Sequence, residues 1–184
     1  MTDVERLPGQ IIYLRKLLPE DATECYVRWL NDPEVNRFLE SRFEHWTVDS
    51  VRAYVHERQN PHEHFFAICD VRDDNHVGNI KIGPINPHHR NADVSLFIGE
   101  KTYWGRGVAS EAIGLVTTYA FDRLGVLKLQ AGAYLANIGC IKAFQSSGYS
   151  QEGLLRERVL SDGKLDDVVI LGYAVSDFRK RSSP

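Results

Sequence analysis

The segment YWGRGVAS, residues 103–110, carries residue types suited to binding an anion. Gly105 and Gly107 come directly before an apolar run with helical spacing. Backbone N–H groups at the start of a helix lack intrahelical partners and lie at the positive end of the helix dipole, and glycine allows a phosphate to approach closely. The spacing therefore predicts a diphosphate-binding turn.

The pattern Gly105-x-Gly107-x-x-Ser110 also approximates the dinucleotide fingerprint G-x-G-x-x-G/A. That fingerprint needs an Asp or Glu about 20 residues further on, and the stretch LKLQAGA at residues 127–133 contains neither. The P-loop pattern G-x-x-x-x-G-K-[ST] is also missing. The segment thus favours a diphosphate cradle over a nicotinamide fold, while a turn that only reverses the chain remains the alternative for the loop taken alone.

Elements that would position this loop follow from periodicity and turn residues. Strands are predicted at residues 11–17, 64–71, 77–85, 93–99 and 127–136, with a closing hairpin of residues 153–160 and 165–175 through Asp162-Gly163. Helices are predicted from an Asp21 cap to Leu30, over residues 49–58, from Gly107 to a Leu124-Gly125 stop, and from an Asn137 cap to Gly148. This order indicates a mixed α/β fold of the α+β type, in which only strands flanking the two late helices need be parallel.

Composition limits the function classes. The chain has 184 residues, 43% of them hydrophobic, which is enough for one buried core and predicts a single domain over residues 1–184. A net charge of -3 provides no basic field for nucleic acid or anionic membrane. Cys25, Cys69 and Cys140 are odd in number and lack CxxC spacing, so neither a disulfide framework nor a metal site is expected. Without an apolar leader at the N-terminus, we expect a cytoplasmic protein.

Four consecutive segments together resemble the core of the GNAT family of acyl-CoA-dependent N-acetyltransferases. They are DVSLFIG, YWGRGVASEAI, LQAGAYLAN and NIGCIKAFQSSGY, and the match covers about residues 77–178. IIYLRKLLPEDA and WLNDPEVNRFLE resemble the N-terminal part of the RimJ/RimL-like branch. The resemblance implies a GNAT fold: a mostly antiparallel sheet of six or seven strands with flanking helices, whose central strands splay apart for acyl-CoA.

The resemblance also implies how acetyl-CoA binds. Backbone N–H groups of residues 106–110 would hold the pyrophosphate, and pantetheine would pair with the backbone of residues 96–98 as an added strand. Trp104 stands where the family usually has Gln or Arg. Arg106 is a phosphate contact or a solvated bystander, and Asn137 contacts pantetheine or only caps a helix. The implied set is Leu96, Phe97, Ile98, Trp104, Gly105, Arg106, Gly107, Val108, Ala109, Ser110 and Asn137.

Acetyl transfer to an amine needs a neutral nitrogen, a polarised thioester carbonyl and a proton for the departing thiolate. Many members of the family place a proton-donating Tyr seven residues after the Asn, but this chain has Phe144 there. Others use a Ser three residues after the Asn, where this chain has Cys140. Our hypothesis is that Cys140 donates to the CoA sulfur; the alternative is a small apolar residue that packs helix against sheet.

Alternation along residues 92–99 places Asp93, Ser95 and Phe97 on one face of a strand. Asp93 is the leading candidate for the base, directly or through water, because related enzymes carry an acidic residue there; a solvated carboxylate at a strand end is the alternative. An α-amine has a pKa of about 7.7–8.0, so low-pKa amines are favoured acceptors and a strong base is not required. His88 and His89 precede the strand and could face the acceptor or serve as the base; ordinary exposed loop histidines are the alternative.

Acceptor specificity in the family comes from the N-terminal helices and loops, here about residues 31–47, and from the late hairpin. His45, His88, His89 and Ser95 are the candidate acceptor contacts. A peptide or protein α-amine and a nucleotide-linked amino sugar remain open as acceptors. A non-catalytic acyl-CoA-binding module, suggested by Phe144, is a further alternative, and a homodimer is plausible.

Overall fold

The computed structural model describes residues 6–182 and contains one eight-stranded sheet. The strands, in chain order, are β1 (Leu7–Pro8), β2 (Ile12–Lys16), β3 (His64–Asp70), β4 (His76–Ile82), β5 (Asn91–Ile98), β6 (Lys128–Tyr134), β7 (Ser150–Ser161) and β8 (Lys164–Ala174). The helices are α1 (Glu24–Asn31), α2 (Pro33–Asn36), α3 (Val48–Glu57), α4 (Val108–Asp122), α5 (Ile138–Ser146) and α6 (Val175–Ser182). Short 3₁₀ turns occupy Pro19–Asp21, Glu40–Phe43 and Lys101–Tyr103.

The spatial order of the sheet is β1-β2-β3-β4-β5-β6-β8-β7. All neighbours are antiparallel except β5 and β6, which are parallel across the α4 connection. Strands β6 and β7, on either side of α5, run in the same direction, but β8 lies between them. The mixed, mostly antiparallel GNAT fold is confirmed, with an eighth strand because Leu7–Pro8 adds a two-residue edge to β2.

The two central strands separate along their length. Strand β5 pairs with β6 only over residues 91–93, opposite residues 128–130. Beyond Asp93, β5 keeps its ladder with β4 and β6 keeps its ladder with β8, but the two no longer pair with each other. The sheet therefore opens into the wedge that the family resemblance implies.

Apolar residues on the two faces of the sheet form two separate cores. Alternation along β2 places Ile12 and Leu14 in the core beneath α4 and α5, and Tyr13 in the core beneath α1 and α3. The helical spacing after Gly107 predicts one apolar face of Ala109, Ala112, Ile113, Val116 and Ala120. The last four are fully buried, whereas Ala109 is only partly buried. Both sides of the wedge are thus held by packed helices.

Several predicted boundaries are wrong. Asp21 does not cap the first helix: Thr23 is the N-cap, and the Asp21 carboxylate instead accepts hydrogen bonds from Arg15 and from the Leu18 N–H. The helix predicted over residues 49–58 is confirmed within one residue, because α3 begins after a Thr47 cap. The chain also continues past the closing hairpin into α6, because Val175 and Phe178 have an apolar core to pack against.

The predicted Asp162-Gly163 hairpin is confirmed. Ser161 pairs with Lys164, and both turn residues have positive φ angles, 51° and 75°. This is the type I′ geometry that matches strand twist and favours Asp-Gly. Within residues 6–182, no helix is long and apolar enough to cross a membrane.

Candidate active site

A cavity of about 590 Å³ opens at the wide end of the wedge. It lies between the end of β5, the loop before α4 and the first turns of α4 and α5. We call it the donor cavity. Its lining is Glu34, Val35, Phe38, Leu39, Leu96, Phe97, Ile98, Tyr103, Trp104, Gly105, Gly107, Val108, Ala109, Ser110, Asn137, Gly139, Cys140, Lys142, Ala143 and Ser146.

The start of α4 presents unpaired backbone donors to this cavity. Gly107 is the N-cap, with φ at 81°, and no side chain among residues 6–182 caps the helix. The first intrahelical bond runs from the Glu111 N–H to the Gly107 carbonyl, so the N–H groups of residues 108–110 precede it. Gly105 also has a positive φ, 72°, a conformation that costs glycine little. The turn therefore has the geometry of an anion site.

The exposed edge of β5 supplies the second set of backbone groups. Gly83 N–H donates to the Asp93 carbonyl and Gly99 N–H donates to the Val77 carbonyl, so odd-numbered residues of β5 direct their backbone toward β4. The backbone N–H and C=O groups of Leu96 and Ile98 therefore point into the wedge, whereas those of Phe97 point toward β4. The Trp104 indole Nε1 donates to the Ile98 carbonyl at 2.8 Å.

Two sets of hydrogen bonds hold the loop and the helix start that carry these groups. The Glu111 carboxylate, in the first turn of α4, accepts the N–H groups of Gln10, Ile11 and Ile12 and ties the helix to β2. Tyr103 donates its hydroxyl to the buried Asp70 carboxylate at 2.7 Å. Hydrogen bonds from Arg72 and Tyr103 hold the pKa of Asp70 well below its usual range.

A second cavity, of about 450 Å³, lies on the α1 and α3 side of the same strands. We call it the acceptor cavity. Its lining is Tyr26, Leu30, Phe38, Leu39, Glu40, Ser41, Trp46, Tyr54, Phe65, Asn79, Lys81, Ser95, Leu96, Phe97, Gly132, Ala133, Tyr134, Asn137, Cys140 and Phe144. Six residues line both cavities: Phe38, Leu39, Leu96, Phe97, Asn137 and Cys140.

The start of α5 lies at the junction of the two cavities. The Asn137 side chain caps the helix by accepting the Cys140 N–H at 3.2 Å. Burial raises the pKa of the Cys140 thiol to about 11, so the thiol is protonated at neutral pH. Phe144 is fully buried against the ring of Tyr149. The junction therefore presents one thiol and no tyrosine hydroxyl from α5.

A polar group that the sequence did not predict lies at the end of β6. The Tyr134 hydroxyl donates to the Glu40 carboxylate and accepts from Arg42 at 2.9 Å. Burial and the Glu40 contact raise the pKa of Tyr134. Arg42 also donates to the Leu160 carbonyl, which joins the 3₁₀ turn to the late hairpin. Glu40 is the one carboxylate among the described residues lining the acceptor cavity. No sequence pattern points to Glu40, because its contact with Tyr134 joins segments that are distant in the chain.

The other predicted site residues lie outside both linings. Asp93 is two residues before Ser95 on the same face, about 7 Å along the strand. Burial raises its pKa, and the charge of Lys81 opposes that shift. His88 and His89 donate their backbone N–H groups to Asn86 in the exposed loop at the closed end of the wedge. His45 is exposed beside Trp46, and Arg106 is exposed beside the α4 turn.

Among residues 6–182, no group of three or more His, Cys, Asp or Glu side chains is placed to hold a metal ion. The polar groups at the junction of the cavities are instead backbone amides, one thiol and one amide side chain. They are suited to binding a thioester and hydrogen-bonding its sulfur.

A helix start with unpaired N–H groups, an open wedge beside it and an adjoining second cavity are the geometry that the GNAT resemblance implies for an acetyl-CoA-dependent N-acetyltransferase. The family model of the acetyltransferase (GNAT) domain matches residues 12–150. The chain therefore belongs to the GNAT acetyltransferase family.

Individual relatives agree with this assignment. The probable N-acetyltransferase YjcK of Bacillus subtilis is 30% identical, over 93% of this chain and 98% of that protein. A spermidine N(1)-acetyltransferase of Vibrio cholerae is 24% identical, over 85% of this chain and 91% of that protein. A crystal structure of spermidine N-acetyltransferase from Vibrio cholerae, in complex with CoA and spermine, superimposes with a TM-score of 0.83 at 21% identity, covering 93% and 99% of the two chains.

Proposed function

We propose that the chain transfers the acetyl group of acetyl-CoA directly to a primary amine held in the acceptor cavity. One observation carries the proposal: the two cavities meet at Leu96, Phe97, Asn137 and Cys140. Donor and acceptor can then be bound at the same time, as direct transfer requires. An acetyl-cysteine intermediate is disfavoured because the thiolate is the nucleophilic form and burial raises the pKa of Cys140.

The donor cavity fits acetyl-CoA on this chain's own geometry. Unpaired N–H groups at residues 108–110 suit the pyrophosphate, and the backbone of Leu96 and Ile98 suits an extended arm that carries amides. Arg106 and Lys142 supply cationic side chains nearby, and Asn137 lies at the junction. Bound acetyl-CoA supplies a thioester carbon that the amine attacks, with the C–S bond breaking as the C–N bond forms.

Asp93 is proposed to take the proton that the amine loses, through a water molecule near Ser95. Burial raises the pKa of Asp93, so its carboxylate is a stronger base than that of an ordinary aspartate. The carboxylate is ionised, and so able to accept a proton, when the pH is well above that pKa. Ser95, which lines the acceptor cavity on the same face, is the side chain best placed to hold that water.

Cys140 is proposed to hydrogen-bond the departing sulfur. A thiol with a pKa near 11 does not readily give up its proton to a thiolate of ordinary basicity, about 8.5. Its contribution is therefore a hydrogen bond that stabilises negative charge on sulfur, and the thiolate takes its proton afterwards from solvent. This is weaker assistance than full proton transfer.

The acceptor is proposed to be a primary amine of low basicity, with the protein α-amine of the RimJ/RimL-like branch and a nucleotide-linked amino sugar as the two candidate classes. The relatives named for spermidine add polyamines as a third class to test. His45, beside Trp46 of the acceptor cavity, and His88 and His89, in the loop before β5, are proposed as outer contacts for a large acceptor.

A CoA-release assay tests the proposal, with N-terminal peptides, amino sugars and polyamines as acceptors. Turnover of at least one amine at saturating acetyl-CoA supports it. The buried Phe144 favours one competing function, a non-catalytic acyl-CoA-binding module. Tight binding of acetyl-CoA without turnover of any amine would establish that alternative.

We also propose that the enzyme is a single domain over residues 1–184 and is cytoplasmic. It is proposed to act without nucleic acid or membrane and to form a homodimer. The exposed leucines of the β7–β8 hairpin support pairing between copies, since Leu154, Leu155, Leu160 and Leu165 are 41–61% exposed. Light scattering on the purified chain distinguishes a dimer of about twice 20.9 kDa from a monomer.

A further inference from the structure

Asn79, a residue of the acceptor-cavity lining, carries one buried donor that has no hydrogen-bond partner among residues 6–182. Asn79 lies on β4 directly opposite Phe97, one of the residues that line both cavities. Asn79 is only 1% exposed, and within the described part of the chain its Nδ2 makes no hydrogen bond. Such groups are rare because leaving a buried N–H unpaired is costly.

The orientation of this amide is set by His76. The His76 Nε2 lies 3.0 Å from the Gly78 carbonyl and 2.9 Å from the Asn79 Oδ1. A carbonyl can only accept, so Nε2 carries the proton, and the Asn79 atom facing it must be the oxygen. The ring of His76 is itself held edge-on by Trp29 and Tyr26. Nδ2 is therefore turned away from His76 by a packed network.

The charges of the cavity do not suit a polycation. Lys81, two residues along β4, contributes a positive charge and pairs with Glu63 at 3.3 Å. The Glu40 carboxylate already accepts from Tyr134 and lies 3.9 Å from an Arg42 nitrogen. The described lining thus offers no excess of carboxylates for the additional ammonium groups of a polyamine.

We propose that Asn79 determines acceptor specificity by donating its Nδ2–H to an oxygen on the substrate, so that the enzyme selects amines that carry a carbonyl or hydroxyl oxygen over polyamines. This deepens the proposed function and rests on it. A polyamine offers only amine nitrogens, which are protonated at neutral pH and cannot accept a hydrogen bond. His76 is a positioning residue in this arrangement.

The test compares kcat/KM for three acceptors at saturating acetyl-CoA and pH 8: glycinamide, glucosamine and spermidine. Each is measured with the native chain and with Asn79→Ala and Asn79→Leu, which remove the donor without adding a charge. We expect the ratio of kcat/KM for glycinamide or glucosamine to that for spermidine to fall about tenfold or more in both variants. Because the ratio is compared between proteins, differences in amine basicity cancel.

The glycinamide and glucosamine arms separate a carbonyl from a hydroxyl partner. The rise in melting temperature on adding acetyl-CoA reports folding, and it should be unchanged since Asn79 lines only the acceptor cavity. If Asn79→Leu does not fold, the smaller Asn79→Ala carries the test. An unchanged ratio, or a native preference for spermidine, overturns this inference alone. No CoA release with any amine overturns the proposed function, and this inference with it.

Discussion

The donor and acceptor cavities share six residues but are built on different principles. The donor cavity relies on backbone: two glycines with positive φ, the uncapped start of α4 and the edge of β5. The acceptor cavity relies on side chains from separate segments, including Glu40, Asn79, Ser95 and Tyr134. A backbone site can serve every member of a fold that binds the same cosubstrate, whereas a side-chain site can change acceptor without disturbing the sheet.

The largest expected effect tests the acceptor side through Asp93, the proposed base. Asp93→Asn should lower kcat/KM by about 100-fold, the low end for loss of a general base. The proposed base acts only when its carboxylate is ionised. Because burial raises the pKa of Asp93 above the ordinary aspartate value of about 3.9, native activity should fall as the pH decreases through that raised pKa. A pH profile of CoA release checks this. Glu40→Gln is the comparison, and an acid limb that survives Asp93→Asn but disappears in Glu40→Gln would transfer the role to Glu40.

The next effect tests the donor side through its backbone. Gly107→Val places a β-branched residue at φ 81°, a strained conformation costing about 1–3 kcal/mol, and should weaken acetyl-CoA binding about tenfold or more by distorting the first turn of α4. Isothermal titration measures the dissociation constant. Gly114→Ala, in the same helix with open space around its Cβ, is the matched control and should leave the dissociation constant unchanged. Equal affinity in Gly107→Val and the native chain would remove the anion turn from the mechanism.

A smaller effect is expected where the cavities meet. Cys140→Ala should reduce kcat about fivefold, because a hydrogen bond from a weak thiol donor to the departing sulfur contributes about 1 kcal/mol, while Cys140→Ser should retain most of the rate. Steady-state CoA release at saturating concentrations of both substrates measures it. Full activity in the alanine variant would mean that Cys140 only packs α5 against the sheet.

The smallest effect concerns how the donor loop is anchored. The lowered pKa of Asp70 means that its contribution to stability is fully present above the unfolded value of about 3.9 and is lost as the pH falls toward the folded value. Asp70→Asn should lower the melting temperature by a few degrees and flatten the decline of stability below about pH 4. Thermal unfolding between pH 3 and 7 checks this, with the exposed Asp73→Asn as control. A native-like acid slope in Asp70→Asn would contradict it.

The features that the sequence predicted differ from those that it missed in how far apart the interacting residues lie. The glycine turn, the α4 stripe, the Asp162-Gly163 hairpin and the parallel junction of β5 and β6 were predictable because they depend on local spacing. The α1 cap was mispredicted because Asp21 and Thr23 are both good caps, and only the pairing of Asp21 with Arg15 decides between them. Helix α6 was missed because its apolar residues become informative only with a core to cover.

The sequence by itself determined the family, from four consecutive segments, and also the glycine turn before α4 and the strand that borders the wedge, each of which is encoded within a short contiguous stretch. Only the tertiary structure decided which side chains face the acceptor. Glu40 meets Tyr134 across 94 residues, and the Asn79 amide is oriented by a histidine that two aromatic residues of α1 hold in place. Such contacts arise from the packing of segments distant in sequence, and no local pattern records them.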